Sequence, residues 1–467
     1  MRWHNIMRGY HMRILIAGAG KVGRALTDEL SSEGHDITLV DMDSRVLEDA
    51  VGMYDVITLQ GNSASKAVLE EAGIQNMDLL IAATNADEVN LLSVITAKAL
   101  NPDIHTIARI RNPEYVDQAR SMRNVFALSL VINPELQAAQ EIARLLKYPG
   151  FLKRETFAKA RVEIVELKVV KGSKLNKVQL KNLSSVTRSQ VLVVAALRDG
   201  KAIMPDGNFV IKEDDRLFVT GSPAQLHEML IHIGIINMPV NHVIMAGGGR
   251  ISYYLAEELH RSHIATSIIE LDPRKCRSLA EALPYSTIIQ GDVSDRKTLD
   301  SEDIGDYDAV VTLTGMDELN IVTSLYAHMH NVPNIVTKLG RGNDGDLVEN
   351  MPIGSIICPK ELCTMHIVRY VRAMQTKEGA ALSVHRIADG KIEAIEFVAD
   401  NDTRHLGEKL KNIRTRKNVL IVSISHGTKV EIANGESVFN AGDTVVVITN
   451  KESKLNQLND IFEDSLS

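Results

Sequence analysis

Short apolar runs alternate along this chain with longer stretches in which apolar residues recur at helical spacing. In the first 130 residues Ala25, Leu26 and Leu30 form such a helical stripe. The apolar runs predict strands at 14–17, 37–40, 56–59, 79–82 and 106–108. Buried strands separated by helices are typical of parallel sheets covered on both faces. The pattern therefore predicts an α/β fold with a doubly wound, Rossmann-like parallel sheet.

The same pattern returns in the second half of the chain. RILIAGAGKVGR (13–24) aligns with HVIMAGGGRISY (242–253), so that Gly18 pairs with Gly247. Further downstream, 59–74 aligns with 289–304, and 82–98 aligns with 312–328. A repeat of this length indicates a duplicated domain. The chain is therefore predicted to contain two Rossmann-like domains.

A smaller segment is repeated after each of these domains. Residues 191–221 align with 419–449, and each segment predicts strands around a hairpin at Asp206-Gly207 or at Asn434-Gly435. Each is expected to be a small α+β module, joined to its Rossmann-like domain by a helix that has proline at its first position. The expected organisation is a disordered leader (1–11), the first Rossmann-like domain (12–132), a connecting helix (133–160), the first module (161–235), the second Rossmann-like domain (240–357), a second connecting helix (358–377) and the second module (378–460).

Charge and composition exclude several classes of protein. The 467 residues include 52 Lys and Arg against 60 Asp and Glu, which gives a net charge of −8. A mildly acidic chain is a poor candidate for nucleic-acid binding. Its apolar runs are shorter than the roughly 20 residues that a membrane-spanning helix requires. Three cysteines fit a reducing cytoplasm.

A glycine-rich loop follows the first predicted strand. Gly18, Gly20 and Gly23 form G-x-G-x-x-G, which suits a tight turn, the approach of a pyrophosphate to the backbone and close packing of helix on strand. Asp41 ends the second strand, where a carboxylate can bind both ribose hydroxyls and would repel a 2′-phosphate. The loop therefore predicts a dinucleotide or adenine-nucleotide site that prefers NAD to NADP. The alternative is a packing turn in an empty fold.

The second copy departs from this motif at one glycine. Gly247 and Gly249 are present, and Glu270 takes the place of Asp41, but Ser252 stands where the first copy has its third glycine. The serine side chain is expected to push the helix slightly off the strand without blocking a phosphate. A second nucleotide site, which could prefer a different nucleotide, is predicted here, with a structural pseudo-site as the alternative.

Polar residues at the ends of later strands are further candidates for ligand contacts. Thr84 and Asn85 follow the fourth strand, at the carboxyl edge where such folds bind ligands. Arg109, and Lys338 in the second copy, end the fifth strand, where each could contact a phosphate or form a surface ion pair.

An acidic pair and an asparagine begin the next helix in both copies. They are Asp87, Glu88 and Asn90, repeated as Asp317, Glu318 and Asn320. For the acids, helix capping and complementarity to the helix dipole are favoured over a role in ligand binding.

Catalytic motifs are missing from the sequence. No tyrosine is followed four residues later by lysine, and no P-loop G-x-x-x-x-G-K-[ST] occurs. Cys358, Cys363 and His366 have irregular spacing, so no metal site is predicted. An enzyme is therefore not expected, although an NAD-dependent oxidoreductase with an unrecognised substrate site stays open as the alternative.

The chain resembles a known family in its duplication and in four motifs, GAGKVG, VDMD, GNSAS and AATNADEVNLL. They are similar to the tandem regulator-of-K⁺-conductance (RCK) domains of the cytoplasmic, NAD-binding subunits of Trk potassium uptake systems. The resemblance implies a homotetrameric ring on the inner face of the cell membrane. Binding of NAD(H) and of ATP or ADP would gate a separate potassium-translocating membrane subunit. A nucleotide sensor without a membrane partner is a third possibility.

The resemblance also implies which residues bind the nucleotides. In the first copy these are Gly18, Ala19, Gly20, Lys21, Val22, Gly23, Asp41, Thr84, Asn85 and Arg109. In the second copy they are Gly247, Gly248, Gly249, Arg250, Ile251, Glu270 and Lys338.

Overall fold

A computed structural model describes most of the chain. The described residues are 11–121, 125–126, 128–147, 153–157, 162–234, 240–340, 351–375, 381–388, 390–427, 429–450, 455 and 457–463. The expected leader, apart from His11, lies outside them. They form two compact units, one within Met1–Leu146 and Val240–Val368 and the other within Lys147–Pro239 and Arg369–Ser467. Each unit therefore combines the two copies of one kind of domain.

The first Rossmann-like domain is built on a parallel sheet with the strand order β3-β2-β1-β4-β5-β6. The strands are β1 (Arg13–Ala17), β2 (Asp36–Asp41), β3 (Ile57–Gln60), β4 (Leu79–Ala82), β5 (His105–Arg109) and β6 (Leu130–Ile132). The helices are α1 (Lys21–Ser32), α2 (Ser44–Met53), α3 (Lys66–Glu71), α4 (Asp87–Leu100), α5 (Pro113–Ser121) and α6 (Pro134–Lys147). The five predicted strands are present, and the structure adds a sixth, β6. The strand order reverses between β1 and β4, which opens a crevice at their carboxyl ends.

The second Rossmann-like domain repeats this topology with the order β14-β13-β12-β15-β16-β17. Its strands are β12 (His242–Ala246), β13 (Ala265–Glu270), β14 (Thr287–Gln290), β15 (Ala309–Thr312), β16 (Asn334–Lys338) and β17 (Ser355–Ile357). Its helices are α9 (Arg250–His260), α10 (Pro273–Ala282), α11 (Arg296–Ser301), α12 (Asp317–Met329) and α13 (Pro359–Gln375). The predicted fold class, with two doubly wound parallel sheets, is confirmed.

Helix α6 contributes to the core of the second Rossmann-like domain. Its buried residues Ala138, Ala139 and Ile142 belong to one hydrophobic cluster with Val243 of β12 and Leu255 of α9. The sequence predicts α6 only as a connection. Its apolar face, however, covers the sheet of the other copy, which joins the two domains in one unit.

In the part of the chain that the structure describes, no helix is both long and apolar enough to cross a bilayer.

The two small modules are antiparallel sheets with the same topology, in the orders β10-β9-β11-β8-β7 and β18-β19-β22-β20-β21. The first contains β7 (Lys153–Phe157), β8 (Val162–Lys168), β9 (Leu192–Arg198), β10 (Lys201–Ile203), β11 (Arg216–Gly221), α7 (Leu183–Thr187) and α8 (Pro223–Ile233). The second contains β18 (Ala381–Ile387), β19 (Ile392–Val398), β20 (Val419–His426), β21 (Lys429–Ile432) and β22 (Thr444–Asn450). Both contain the antiparallel sheet expected of the small modules, although β7 lies in the range 133–160 predicted as a connecting helix, because α6 ends at Lys147. The two sheets share one hydrophobic core that includes Val194 and Ile448.

The hairpin of the first module turns at a different Asp-Gly pair from the one expected. Arg198 pairs with Lys201, so Asp199 and Gly200 form a two-residue turn, with φ of 49° and 70°. Such turns need positive φ at both central positions, which aspartate tolerates and glycine favours. The expectation of a hairpin at Asp206-Gly207 is therefore wrong.

Candidate nucleotide-binding sites

The three glycines of the first loop have different steric environments. Gly18 has φ of 103°, and a Cβ there would lie 2.8 Å from the backbone nitrogen of Thr84. A Cβ at Gly23 would lie 1.8 Å from the carbonyl oxygen of Gly18, so α1 packs this closely on β1 only because residue 23 has no side chain. A Cβ at Gly20 would meet no atom within 4 Å. Gly20 therefore faces open space at the start of α1, where unpaired helix amides favour an anion.

Asp41 lies against this loop at the end of β2. Its Oδ2 accepts a hydrogen bond of 2.6 Å from the backbone N–H of Ala19, and its Oδ1 accepts one of 2.9 Å from that of Asp43. These two bonds fix the carboxylate beside the glycine loop. Carboxylate oxygens have further lone pairs, so the ribose hydroxyls of a nucleotide could still be bound.

The remaining loop residues offer different groups to a ligand. The side chains of Ala19 and Val22 are buried in the core, as is that of Ile251 in the second copy. Their side chains are therefore not available to a ligand. Lys21 and Arg250 are exposed at the first positions of α1 and α9, so their cationic side chains are accessible.

Asn90 joins the ends of two neighbouring strands in the first copy. Its Oδ1 accepts hydrogen bonds from the backbone N–H and the hydroxyl of Thr84, at 2.8 and 2.7 Å. Its Nδ2 donates to the carbonyl oxygens of Arg109, at 2.8 Å, and of Thr84, at 3.3 Å. Because Asn90 is fully buried, this arrangement holds the Thr84–Asn85 turn and the end of β5 at one edge of the crevice.

Arg109 ends β5, half-buried beside that turn. Its Nη2 donates to Oδ1 of Asn85 at 3.4 Å, and its buried Nε has no hydrogen-bond partner among the described residues. Burial lowers the pKa of the Arg109 guanidinium, and the positive charge of Arg111 adds to this effect. The structure thus places Arg109 beside the Thr84–Asn85 turn, with its Nε–H buried.

Asp87 does not cap its own helix. The α4 N-cap is Ala86, which has no side-chain capping bond. Asp87 instead accepts hydrogen bonds from the backbone N–H groups of Arg111, at 2.7 Å, and Asn112, at 2.8 Å. The capping interpretation is wrong for Asp87, because the loop after β5 binds this carboxylate. Complementarity to the helix dipole is borne out, since Asp87 and Glu88 both lie in the first turn of α4. The equivalent Asp317 likewise accepts from the N–H of Gly340 at 2.8 Å.

The second glycine loop keeps the same backbone shape with different packing. Gly247 has φ of 106°, and a Cβ at Gly249 would meet no atom within 4 Å. Ser252 is fully buried, and its hydroxyl donates to the carbonyl oxygen of Gly247. A Cβ at the equivalent Gly23 would lie 1.8 Å from the carbonyl oxygen of Gly18, so the second copy differs locally from the first in a way that makes room for the Ser252 side chain.

Glu270 occupies the position of Asp41 and makes the same pair of hydrogen bonds. Its Oε2 accepts from the backbone N–H of Gly248 and its Oε1 from that of Asp272, both at 2.9 Å. A Cβ at Gly248 would lie 2.5 Å from Leu279 and 3.0 Å from Glu270. The longer acid of the second site is thus accompanied by a glycine where the first site has Ala19.

Lys338 is held at the end of β16 by the Thr314 turn. Its Nζ donates to the carbonyl oxygen of Thr314, and Asn320 links Thr314 to the carbonyl oxygen of Lys338 as Asn90 links its counterparts. Burial lowers the pKa of the Lys338 ammonium, while the nearby carboxylate of Asp317 opposes this change. Gly315, the counterpart of Asn85, brings no side chain to this turn.

The two crevices face each other within their unit. Lys21 Nζ lies 3.7 Å from the position that a Cβ on Gly340 would occupy, and its charge contributes to the lowered pKa of Lys338. Glu135, near the start of α6, acts in the opposite sense on the pKa of both Arg109 and Lys338. Its buried Oε2 has no hydrogen-bond partner among the described residues. Charged groups of the two candidate sites therefore interact directly.

Of the residues at this junction, Glu135 and Tyr254 could not be found from the sequence, whereas Asn90 could. Asn90 gives a signal, because it recurs as Asn320 at the same distance from a strand-end threonine. Glu135 aligns with Lys360, and Tyr254, which lies between the domains, aligns with Ala25. Without a counterpart in the other copy, neither residue stands out in the sequence.

Protein-family models match most of this chain. The TrkA-N domain matches residues 14–134 and 243–359, and the TrkA-C domain matches 164–231 and 394–463. Among curated proteins, the Trk system potassium uptake protein TrkA of Halomonas elongata is 30% identical over 98% of this chain and 100% of its own length. A TrkA homologue of Archaeoglobus fulgidus is 31% identical over 97% and 100%.

Solved structures share the fold at low sequence identity. The crystal structure of the GsuK RCK domain superposes with a TM-score of 0.61 at 16% identity, covering 95% of this chain and 93% of its own. The GsuK channel bound to NAD gives 0.61 at 17% identity, covering 97% and 79%.

Proposed function

We propose, starting from the fact that this chain belongs to the TrkA family of potassium uptake proteins, that it senses nucleotides for such a system. NAD(H) and ATP or ADP bind in the two crevices, and the bound state gates a separate membrane subunit that conducts K⁺. The chain works as a homotetrameric ring in the cytoplasm, against the inner face of the membrane. It regulates transport and catalyses no reaction.

The geometry of the glycine loops carries this proposal. Gly20 and Gly249 both face open space, and each lies at the start of a helix whose first amides are available to phosphate. Asp41 and Glu270 lie beside the loops with two backbone bonds each, where they can accept from ribose hydroxyls and repel a 2′-phosphate. NAD(H) is thereby favoured over NADP(H). A GsuK channel of the same fold has been solved bound to NAD, which supports this choice.

The facing crevices suggest how a nucleotide could control the ring. A ligand shifts a conformational equilibrium only by the difference between its affinities for the two states. Phosphates bound near Lys21 or Lys338 would alter the balance among these cations and Glu135. Because the two loops differ at Ser252 and Gly248, the sites are expected to prefer different nucleotides, so that NADH and an adenine nucleotide oppose one another.

Calorimetric titration of NADH, NAD⁺, ATP and ADP tests the binding sites. Gly20→Val and Gly249→Val each place a side chain in the open space of one loop, at backbone angles that valine can adopt. Each is expected to weaken binding at its own site at least about tenfold, or about 1.4 kcal/mol. Gly52→Val in α2, where a Cβ would also meet no atom within 4 Å, is the matched control and should bind as wild type.

Unchanged binding in both loop variants would contradict the proposed sites. Measurement of K⁺ uptake tests the regulatory role. Uptake by membranes that contain the partner subunit should respond to nucleotides only when binding-competent protein is added. Equal responses to all nucleotides would contradict their opposition. Turnover of NADH with keto acids or aldehydes would favour an oxidoreductase instead.

A further inference from the structure

Tyr254 connects the second glycine loop to the first Rossmann-like domain. It lies on α9, one turn after the loop, and is 95% buried, with 5% of its surface exposed. Its hydroxyl donates a hydrogen bond of 3.0 Å to the carbonyl oxygen of Arg111 and accepts one of 3.0 Å from Nδ2 of Asn133. Burial raises the pKa of Tyr254 to about 12, so the hydroxyl keeps its proton at neutral pH.

Both partners of Tyr254 belong to the surroundings of the first site. The Arg111 guanidinium donates to the carbonyl oxygen of Asn85, in the turn that follows β4. The Arg111 backbone N–H is bound by Asp87. Asn133 begins α6, where its Oδ1 accepts a hydrogen bond of 2.9 Å from the N–H of Leu136. Two hydrogen bonds and one residue thus connect α9 to the Thr84–Asn85 turn.

The equivalent position of the first copy cannot form the hydrogen bonds that Tyr254 makes to the first Rossmann-like domain. The residue of α1 that aligns with Tyr254 is Ala25, which has no polar side-chain atom. The duplicated domains are therefore joined asymmetrically at this point, by a side chain that only the second copy contains. Core packing alone does not require the hydroxyl of Tyr254, because phenylalanine could fill the same apolar space.

We propose that Tyr254 is a positioning residue that couples the two nucleotide sites of this chain. The inference rests on the proposed function and adds to it the path of communication. Binding of phosphates at the start of α9 fixes this helix, and the helix then fixes Arg111 and the Asn85 turn through the Tyr254 hydroxyl. In a state in which only one site is ordered, this bond is broken and the carbonyl oxygen of Arg111 loses its tyrosine partner. The free-energy cost of that loss disfavours such a state and so couples the two sites.

The test is a linkage measurement on the full-length protein. NADH is titrated by its fluorescence in the absence and in the presence of saturating ADP, and the ratio of the two dissociation constants is the coupling factor. For wild type we expect a factor that differs from one by about fivefold or more, in either direction. Tyr254→Phe should bring the factor close to one, while NADH alone still binds.

Tyr253→Phe is the matched control. It removes a hydroxyl from the neighbouring residue of the same helix, where that hydroxyl donates to Oε1 of Glu257 one turn away at 3.3 Å. Its coupling factor should remain that of wild type. A merely structural role of Tyr254 would lower thermal stability and both affinities together and leave their ratio unchanged.

Arg111→Lys provides an independent test if Tyr254→Phe does not fold. It keeps the charge next to Asp87 but removes the guanidinium that reaches the carbonyl of Asn85. It should also reduce the coupling factor, and the double variant should reduce it no further. A wild-type factor in either variant, or no coupling in wild type that binds both nucleotides, would overturn the inference. Absence of any nucleotide binding to wild type would instead contradict the proposed function.

Discussion

Gly23 and Gly20 of the first loop differ in the protein atoms that a side chain at each position would meet. Gly23 has to lack a side chain because the carbonyl oxygen of Gly18 would lie 1.8 Å from its Cβ. A Cβ at Gly20 would meet no protein atom within 4 Å, so only a ligand would require a glycine there. In the second copy, Ser252 fills the position of Gly23 and binds the equivalent carbonyl oxygen through its hydroxyl. The same motif therefore contains one residue needed for folding and one that is free for binding.

Replacing Gly23 or Gly52 by alanine should change the free energy of unfolding in opposite directions. Gly23→Ala is expected to lower the free energy of unfolding by about 3 kcal/mol, because the new methyl group forces α1 away from β1. Gly52→Ala, at an unobstructed position in the last turn of α2, should raise it by about 0.5–1 kcal/mol, because alanine loses less backbone entropy on folding. Chemical denaturation of both variants measures this difference, and equal stability would contradict the steric argument.

At the scale of the elements, buried asparagines hold the carboxyl ends of the strands together. Asn90 links β4 to β5, and Asn320 links β15 to β16, with the same donors and acceptors. Strand ends have no further ladder partners, so side chains have to satisfy their backbone groups. The edge of the crevice is therefore ordered before any ligand is bound.

Asn90→Ala tests this link. The change leaves the N–H of Thr84 and the carbonyl oxygen of Arg109 without their present partners in a buried setting. We expect a loss of about 2–4 kcal/mol in the free energy of unfolding, since each buried group without a partner costs about 1–3 kcal/mol. Thr96→Ala, which removes an exposed hydroxyl bond on the same helix, should change stability by less than about 0.5 kcal/mol. A similar small effect of Asn90→Ala would show that the asparagine is dispensable.

At the scale of the whole molecule, the two copies complete each other. Helix α6 of the first copy covers the sheet of the second, and the small modules share one core to which Val194 and Ile448 both belong. We therefore infer that the modules fold as one cooperative unit, although their sequences repeat.

Hydrogen exchange can detect this dependence between modules. Ile448→Ala in β22 should cost about 2–5 kcal/mol and increase exchange in β9 of the other module. Exchange in β1 and β12 should stay as in wild type, because these strands belong to the other compact unit. Ile231→Ala, at a half-exposed position of α8, is the control and should leave exchange in β9 unchanged. Protection in β9 that is unaffected by Ile448→Ala would contradict a shared core.

The sequence by itself determined the features that depend on local patterns and on the repeat. Strand runs, the glycine spacing around Gly18 and the acids Asp41 and Glu270 are all readable, because each reflects neighbours along the chain or a position found twice. The edge strands β6 and β17 are not among the predicted strands. The hairpin turn at Asp199 was assigned to the wrong Asp-Gly pair, because two such pairs lie close together.

Only the tertiary structure decided which groups meet across the copies. Tyr254 contacts a carbonyl oxygen 143 residues away, and Glu135 of the first copy raises the pKa both of Arg109 and of Lys338 in the second. No periodicity encodes such contacts, because they arise when α6 packs on the other copy's sheet and brings distant polar groups together. Asp87 illustrates the same limit, since it looks like a helix cap until the loop after β5 approaches it. Local chemistry thus predicts the two loops, whereas three-dimensional packing decides how they face each other.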